Sequence, residues 1–196
     1  MRQDNNRLFR SAKSIPRSGA ARESRPLFLA RVGALWYADA MTNGSSDPDM
    51  EPRPGEVAVE LPARTDAGVY FIGVIHTPWK TRSECPKRGK EDGSICTIVI
   101  DERWHAALTG LAGHRRIQVL YWMHRARRDL VLQTPFRTGR TTGTFALRSP
   151  VRPNPIASSF VELVAVEGGT LQVRGLDCLD GTPLIDLKPD HAATGH

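Results

Sequence analysis

The amino-acid sequence predicts a mainly β domain, a small barrel or sandwich with one or two short helices, beginning near residue 68. Three features carry the prediction. Short apolar runs recur with Gly, Pro and Asp turn signals between them; only one stretch has helical spacing; and no GxGxxG follows a strand, which argues against a doubly wound dinucleotide fold.

Residues 1–67 contain SIPRSGAARESRP and MTNGSSDPDMEPRPGE, breaker-rich and without periodicity, and read as an arm that is mostly disordered or extended. Within it, Pro26 to Met41 (PLFLARVGALWYADAM) has the apolar content for a short helix or strand that docks on the body. The Arg- and Ser-rich start is like a transit peptide, but Asp4 and Glu23 oppose that reading. A translation start at Met41 or Met50 accounts for the arm equally well.

VYFIGVI, Val69 to Ile75, reads as a buried strand halted by HTPWK, and CTIVID as a second strand. DERWHAALTGL follows as the helix, with Asp101 as its cap and Trp104, Leu108 and Leu111 on one face. IQVLYWMH, LVLQTP, GTFALRS and SFVELVAVEGGTLQVRGLDCL supply further strands, the last folded into a hairpin at Glu167, Gly168 and Gly169. Residues 68–190 thus form the domain and 191–196 a tail.

A hydrophobic content of 40 % suits a globular core, and no run approaches the ~18 to 20 apolar residues of a membrane span. No compact apolar stretch with a small-residue cleavage site opens the chain, so a soluble, cytoplasmic protein with no membrane partner is expected. Cys85, Cys96 and Cys178 have no CxxC spacing, which argues against a disulfide framework and a thiolate metal site. The net charge of +6 misrepresents the body. Residues 1–40 hold eight basic and three acidic residues, leaving only +1 for the rest, so a basic face must arise from local clustering.

Three constellations stand out. RSPVRPNPI, Arg148 to Ile156, is stiffened by three prolines and presents Arg148 and Arg152, forked donors for phosphate or carboxylate, with Asn154 able to read a base edge. The same prolines also suit a barrel rim that blocks edge pairing. GLDCLDGTPLIDLKP brings Asp177, Asp180, Asp186 and Lys188 around an Asp-Gly turn. Its spacing lacks the alternating oxygen ligands of a calcium loop, so a bend with solvated acids is expected and no metal. Arg115, Arg116, Arg125, Arg127 and Arg128, with Tyr121 and Trp122 among them, suit phosphates and stacked bases, or else barrel residues and a solvated turn.

IGVIHTPWK, RSPVRPNPI followed by ASSFVEL, and LDCLDGTPLIDLKP together resemble the TrmO (TsaA-like, YaeB-like) family of S-adenosylmethionine-dependent tRNA methyltransferases, over about Val69 to Pro189. The resemblance implies a small β-barrel acting as a homodimer. It implies transfer of a methyl group from S-adenosyl-L-methionine to the exocyclic N6 of threonylcarbamoyl-modified adenosine beside the anticodon, in the anticodon loop of tRNA. Where the family has a Pro-Arg-Gln cofactor loop, this chain has CPKRG, which nominates Pro86, Lys87, Arg88 and Gly89. The strand ending beside the cofactor nominates His124 and Arg125, the proline-rich block nominates Arg148, and the cofactor-facing backbone corresponds to Arg174, Gly175, Leu176 and Asp177. Arg115, Arg116, Arg127, Arg128, Arg152, Asn154 and Lys188 are the candidate substrate contacts.

Two further departures are Ala157, where the family has glycine, and Asp190, where it has tyrosine. Many bacterial relatives also carry a C-terminal domain, whose grip on tRNA would here fall to the barrel or the arm. A sulfonium methyl is already activated, so alignment and exclusion of water are the main tasks, with Asp180 or His124 taking the proton from nitrogen. The alternative is a catalytically silent protein, a sensor of S-adenosylmethionine or a nucleotide, or an RNA-binding module.

Overall fold

The computed structural model describes residues 52–90 and 92–190. Among the described residues nine strands form two sheets. β1 (Val57–Ala58), β5 (Leu130–Gln133) and β6 (Thr142–Gly143) make a small sheet, and the other six close a barrel in the order β2-β3-β8-β7-β4-β9. The barrel strands are β2 (Gly73–His76), β3 (Ile95–Ile100), β4 (Arg116–Trp122), β7 (Ile156–Glu167), β8 (Thr170–Arg174) and β9 (Thr182–Pro189). Every neighbouring pair is antiparallel. The expectation of a mainly β barrel holds.

Alternation explains the core. Cys96, Ile98 and Ile100 on β3, Ile117, Val119 and Tyr121 on β4, and Leu171 and Val173 on β8 point inward at every second position, joined by Ile75, Val161 and Leu184. Irregular pairing at Leu163 and Ala165 on β7, and at Leu120 and Tyr121 on β4, adds the local bend that closure requires. Cys96 and Cys178 are buried free thiols, and burial pushes them up to about 11 and about 12, which keeps them protonated core residues.

The expected helix is present with a tighter geometry. Glu102–Leu108 is a 3-10 turn capped by Asp101, whose carboxylate accepts from the Arg103 N–H at 3.1 Å. Gly110, with φ of 84°, ends it before a second short turn at Leu111–Gly113. Trp104, Leu108 and Leu111 do pack on the core. The β7–β8 hairpin turns at Gly168 and Gly169, and a Cβ on Gly169 would lie 2.0 Å from His105 Nε2, so a side chain there would displace the helical turn from the hairpin.

Four readings need correction. The first strand is shorter than Val69 to Ile75: Val69, Tyr70 and Phe71 are exposed and pairing begins at Gly73, level with the end of β3 at Ile100. GTFALRS yields only the end of β6, because Thr144 turns inward and Thr144–Ala146 form a 3-10 turn. β9 lies in a segment read as a bend with solvated acids. Within the arm, Val57–Ala58 pair with β5 and Glu56 accepts from the Thr134 N–H at 2.9 Å. The readings on Pro26 to Met41, the chain start and residues 191–196 lie outside the described residues. Among the described residues no helix is long and apolar enough to cross a membrane.

Candidate functional site

Antiparallel closure sorts the loops onto two rims. The ends of β2, β4 and β8 and the starts of β3, β7 and β9 share one rim, as the pairs His76 with Thr97, Trp122 with Ile156, and Ile95 with Arg174 show. This rim therefore carries HTPWK, CPKRG, the His124–Arg125 end of β4, RSPVRPNPI and the GLDCLDG connection. Loops from five parts of the chain converge there.

The convergence is tight at one seam. A Cβ on Gly89 would lie 1.7 Å from the carbonyl oxygen of Gly175, so the CPKRG loop rests backbone to backbone on the Arg174–Asp177 segment. Gly175 itself has φ of 110°, a conformation open to glycine. Beside it the Arg174 Nε is buried with no hydrogen-bond partner among the described residues, and its Nη1 stands 4.0 Å from Glu162. Lys87, Arg88 and Arg125 are exposed, Pro86 is half-buried and Leu176 belongs to the core.

Asp177 is anchored from inside the barrel. The Tyr121 hydroxyl donates to its Oδ1 at 2.8 Å and lies 2.9 Å from Ser159 Oγ, and burial with the nearby Asp177 charge raises the Tyr121 phenol far above its ordinary value. Asp180 is clamped from outside. Lys80 Nζ, His76 Nδ1 at 3.3 Å and the Thr77 N–H at 3.1 Å all reach its carboxylate. The Lys80 hydrogen bond, assisted by the others, holds Asp180 below the usual carboxylate range and so makes it a weak proton acceptor. His124 is inside the rim, where burial and then the Arg125 charge pull its imidazole down to about 4; it is neutral at pH 7.

The proline-rich block is rigid for a reason beyond its prolines. Arg152 donates to the carbonyls of Ser149 at 2.9 Å and of Leu147, the two residues flanking Arg148, so Arg152 braces the loop and Arg148 projects from it exposed. Arg128 likewise donates to Pro153 O at 2.6 Å and lies 5.4 Å from the centre of the Trp122 ring, while Arg127 forms a two-pronged pair with Asp129 at 2.8 and 2.7 Å. Asn154 is exposed, its carbonyl taken by the Ile156 N–H.

Arg115, Arg116 and Lys188 are not at this rim. They sit at the start of β4 and the end of β9, and the seven residues of β4 at ~3.3 Å each put ~20 Å between the two ends. Arg116 Nε lies 3.5 Å from the buried Asp190, which links the residue standing in place of the family tyrosine to β4, and Lys188 pairs with Asp186. Ala157 lies opposite Tyr121 and packs on the core. A cavity of about 310 Å³ lined by Ile72, Trp104, Leu108, Leu111 and Leu187 also includes Asp186 and Pro189, and it holds none of the nominated cofactor residues.

His76 and Lys80 are site residues that sequence reasoning missed. They lie inside the quoted HTPWK block, but nothing in their spacing announces a partner 104 residues away. Among the described residues no three His, Cys, Asp or Glu side chains converge as a metal site.

These features define a class: a small antiparallel barrel whose polar and cationic loops gather at one rim. Residues 74–194 match the model of the tRNA-methyltransferase O N-terminal domain, and the chain belongs to that family. It is 51 % identical over 161 residues to a probable S-adenosyl-L-methionine-binding protein, VirR, of Rhizobium radiobacter, covering 82 % of this chain and 89 % of that one. Over 86 residues it is 37 % identical to the mouse tRNA (adenine(37)-N6)-methyltransferase, which covers 42 % of this chain and 20 % of the mouse protein. The crystal structure of TrmO from Pseudomonas aeruginosa aligns with a TM-score of 0.55 at 28 % identity, over 67 % of this chain and 58 % of that structure. The chain thus spans less than two thirds of that structure's length.

Proposed function

We propose that this chain binds S-adenosyl-L-methionine at the loop-bearing rim and methylates the exocyclic N6 of threonylcarbamoyl-modified adenosine beside the tRNA anticodon, as a cytoplasmic homodimer. The reading rests on family membership together with the Gly89–Gly175 seam, where two segments nominated for the cofactor meet with no room for a side chain. The donor set fits such a group. Among the described residues Arg174 Nε has no acceptor, Arg148, Lys87 and Arg88 are exposed cations, and Gly175 and Leu176 lie beside Arg174 in the chain.

When bound, the cofactor supplies a methyl group already activated on sulfonium. The chain's own residues align, exclude water and move one proton. Asp180, occupied by Lys80 and the Thr77 N–H, acts as a positioning residue: with Nδ1–H directed at Asp180, His76 keeps a lone pair on Nε2, the candidate acceptor of the N6 proton.

Transfer of labelled methyl into purified tRNA, followed by mass spectrometry of its nucleosides, is the test. Methylated N6 on the modified adenosine is expected. His76→Ala should lower kcat roughly 100-fold while cofactor affinity stays within about twofold. Tight cofactor binding with no transfer would instead favour the silent sensor or RNA-binding module, a reading in line with the VirR relative, whose name specifies binding alone.

A further inference from the structure

β4 and β7 are paired neighbours, Trp122 opposite Ile156, yet residues 123–155 intervene between them. An excursion of that length within what would otherwise be a simple hairpin connection calls for a function. It leaves from the site rim, and from Leu130 to Pro155 it contains Arg137, Arg140, Arg148 and Arg152 with no Asp or Glu; its one acid, Asp129, is paired with Arg127. Among the described residues none of the ion pairs involves Arg137, Arg140 or Arg148.

Two phenylalanines on this excursion point into solvent. Phe136 is 92 % exposed and Phe145 is 84 % exposed, the highest values among the large apolar side chains of the described residues. They stand on an ordered frame. Buried Gln133 Nε2 donates to Thr144 Oγ1 at 2.8 Å and to Val151 O at 2.6 Å, and Thr144 Oγ1 donates to Leu130 O at 2.7 Å. At the tip, the Thr138 and Gly139 N–H groups close on Pro135 O at 3.0 and 2.9 Å, with Gly139 at φ of 59°. A fixed backbone presenting bare aromatic rings between unpaired arginines is organised before any ligand arrives, so little conformational entropy remains to be lost on binding.

We propose that this excursion is a platform for single-stranded RNA beside the methyl-transfer site, with Phe136 and Phe145 stacking bases and Arg137 and Arg140 contacting phosphates. Rings with arginines fit unpaired nucleotides, whose π faces are open, better than a duplex, whose bases are hidden. A second copy of this chain is a poorer occupant: in a two-fold interface Arg137, Arg140 and Arg148 would face their own copies, since the nearby acids Asp129 and Glu56 are already paired with Arg127 and Arg53. That the RNA is an anticodon loop rests on the function proposed above; the platform itself rests on the exposure and charge of the excursion.

The probes are an unmodified anticodon stem-loop RNA and its fully paired stem, titrated by fluorescence anisotropy across salt concentrations, with cofactor binding measured by calorimetry. Phe136→Ala with Phe145→Ala should weaken stem-loop binding about tenfold or more, with little change for the paired stem. Arg137→Gln with Arg140→Gln should weaken binding to the stem-loop and reduce its salt slope by roughly 1.4. Cofactor affinity should stay within about twofold in both, and thermal melts should match the unsubstituted protein, since all four side chains are exposed. The proposal is overturned if the phenylalanine variant binds the stem-loop normally, or if sedimentation shows that it dissolves a dimer, which would make the rings a subunit contact. Should the unsubstituted protein fail to methylate tRNA while the variants still lose RNA binding, the methyltransferase reading fails and the platform stands.

Discussion

The barrel and the β1–β5–β6 sheet are held together by different forces. The barrel buries alternating aliphatic side chains, with Ile75, Ile98, Ile117, Val119, Leu171, Val173 and Leu184 fully sequestered. The small sheet has few such residues, and its centre is a polar bonding set: Gln133 to Thr144 and Val151, Thr134 against Thr141 at 3.0 Å, and Glu56 receiving Thr134. Apolar burial is non-directional and tolerates small shifts, whereas hydrogen bonds fix direction. The barrel thus supplies stability, and the small sheet supplies a stiff, exposed presentation of side chains.

Substitutions can separate the two. Ile98→Ala should have the largest effect, costing about 2 to 5 kcal/mol in urea denaturation and lowering protection of barrel amides from hydrogen exchange. Gln133→Ala leaves two buried oxygens short of a donor and should cost about 1 to 3 kcal/mol. Its signature is local: faster exchange at Leu130–Thr144 with unchanged protection at Ile98 and Leu171. Equal loss of protection in both regions would show them to be one cooperative unit, and the contrast drawn above would fail.

A further effect, confined to acid pH, is expected at His124, just past the end of β4. Its folded pKa of about 4 lies below the ordinary 6.5, so the unfolded chain binds the proton more tightly between these values. The stabilisation is whole above about pH 6.5 and is lost as pH falls toward 4. A His124→Gln variant should therefore show a shallower decline of Tm over that window than the unsubstituted protein; identical slopes would remove His124 from the account.

Legibility in the sequence followed the same division. β3, β4 and β8 are legible because ICTIVI and RIQVLYW are short apolar, β-branched or aromatic runs bounded by turn signals and TLQVR alternates strictly; in the fold all three bury every second residue. β9 was hidden by Pro183, which cannot donate a ladder bond and belongs by rule at an edge, although β9 lies between β2 and β4. At the site, the contiguous blocks singled out in the sequence come together on one rim. What they could not convey was which cations are already engaged, because the acceptors for Arg152 and Arg128 are loop carbonyls that have no side-chain signature. Arg115 and Arg116 stand apart from Arg125 to Arg128 for a geometric reason: they are near in the sequence, but β4 runs its full length between the two groups.

The position of β9 also has a consequence for synthesis. Among the described residues it is the strand that joins β2 to β4, and more than a hundred residues separate His76 from Pro189. At ~5 to 20 residues per second a ribosome needs on the order of ten seconds to make that stretch; β2 presents an open ladder edge throughout it, and β4 from its own synthesis onward. Lengthening the pause adds no chemistry but prolongs the interval in which a neighbouring nascent chain can take the place of β9. A chain released before Pro183 is an open sheet with two template edges, and its fate rests with chaperones and proteases rather than with the site it was meant to carry.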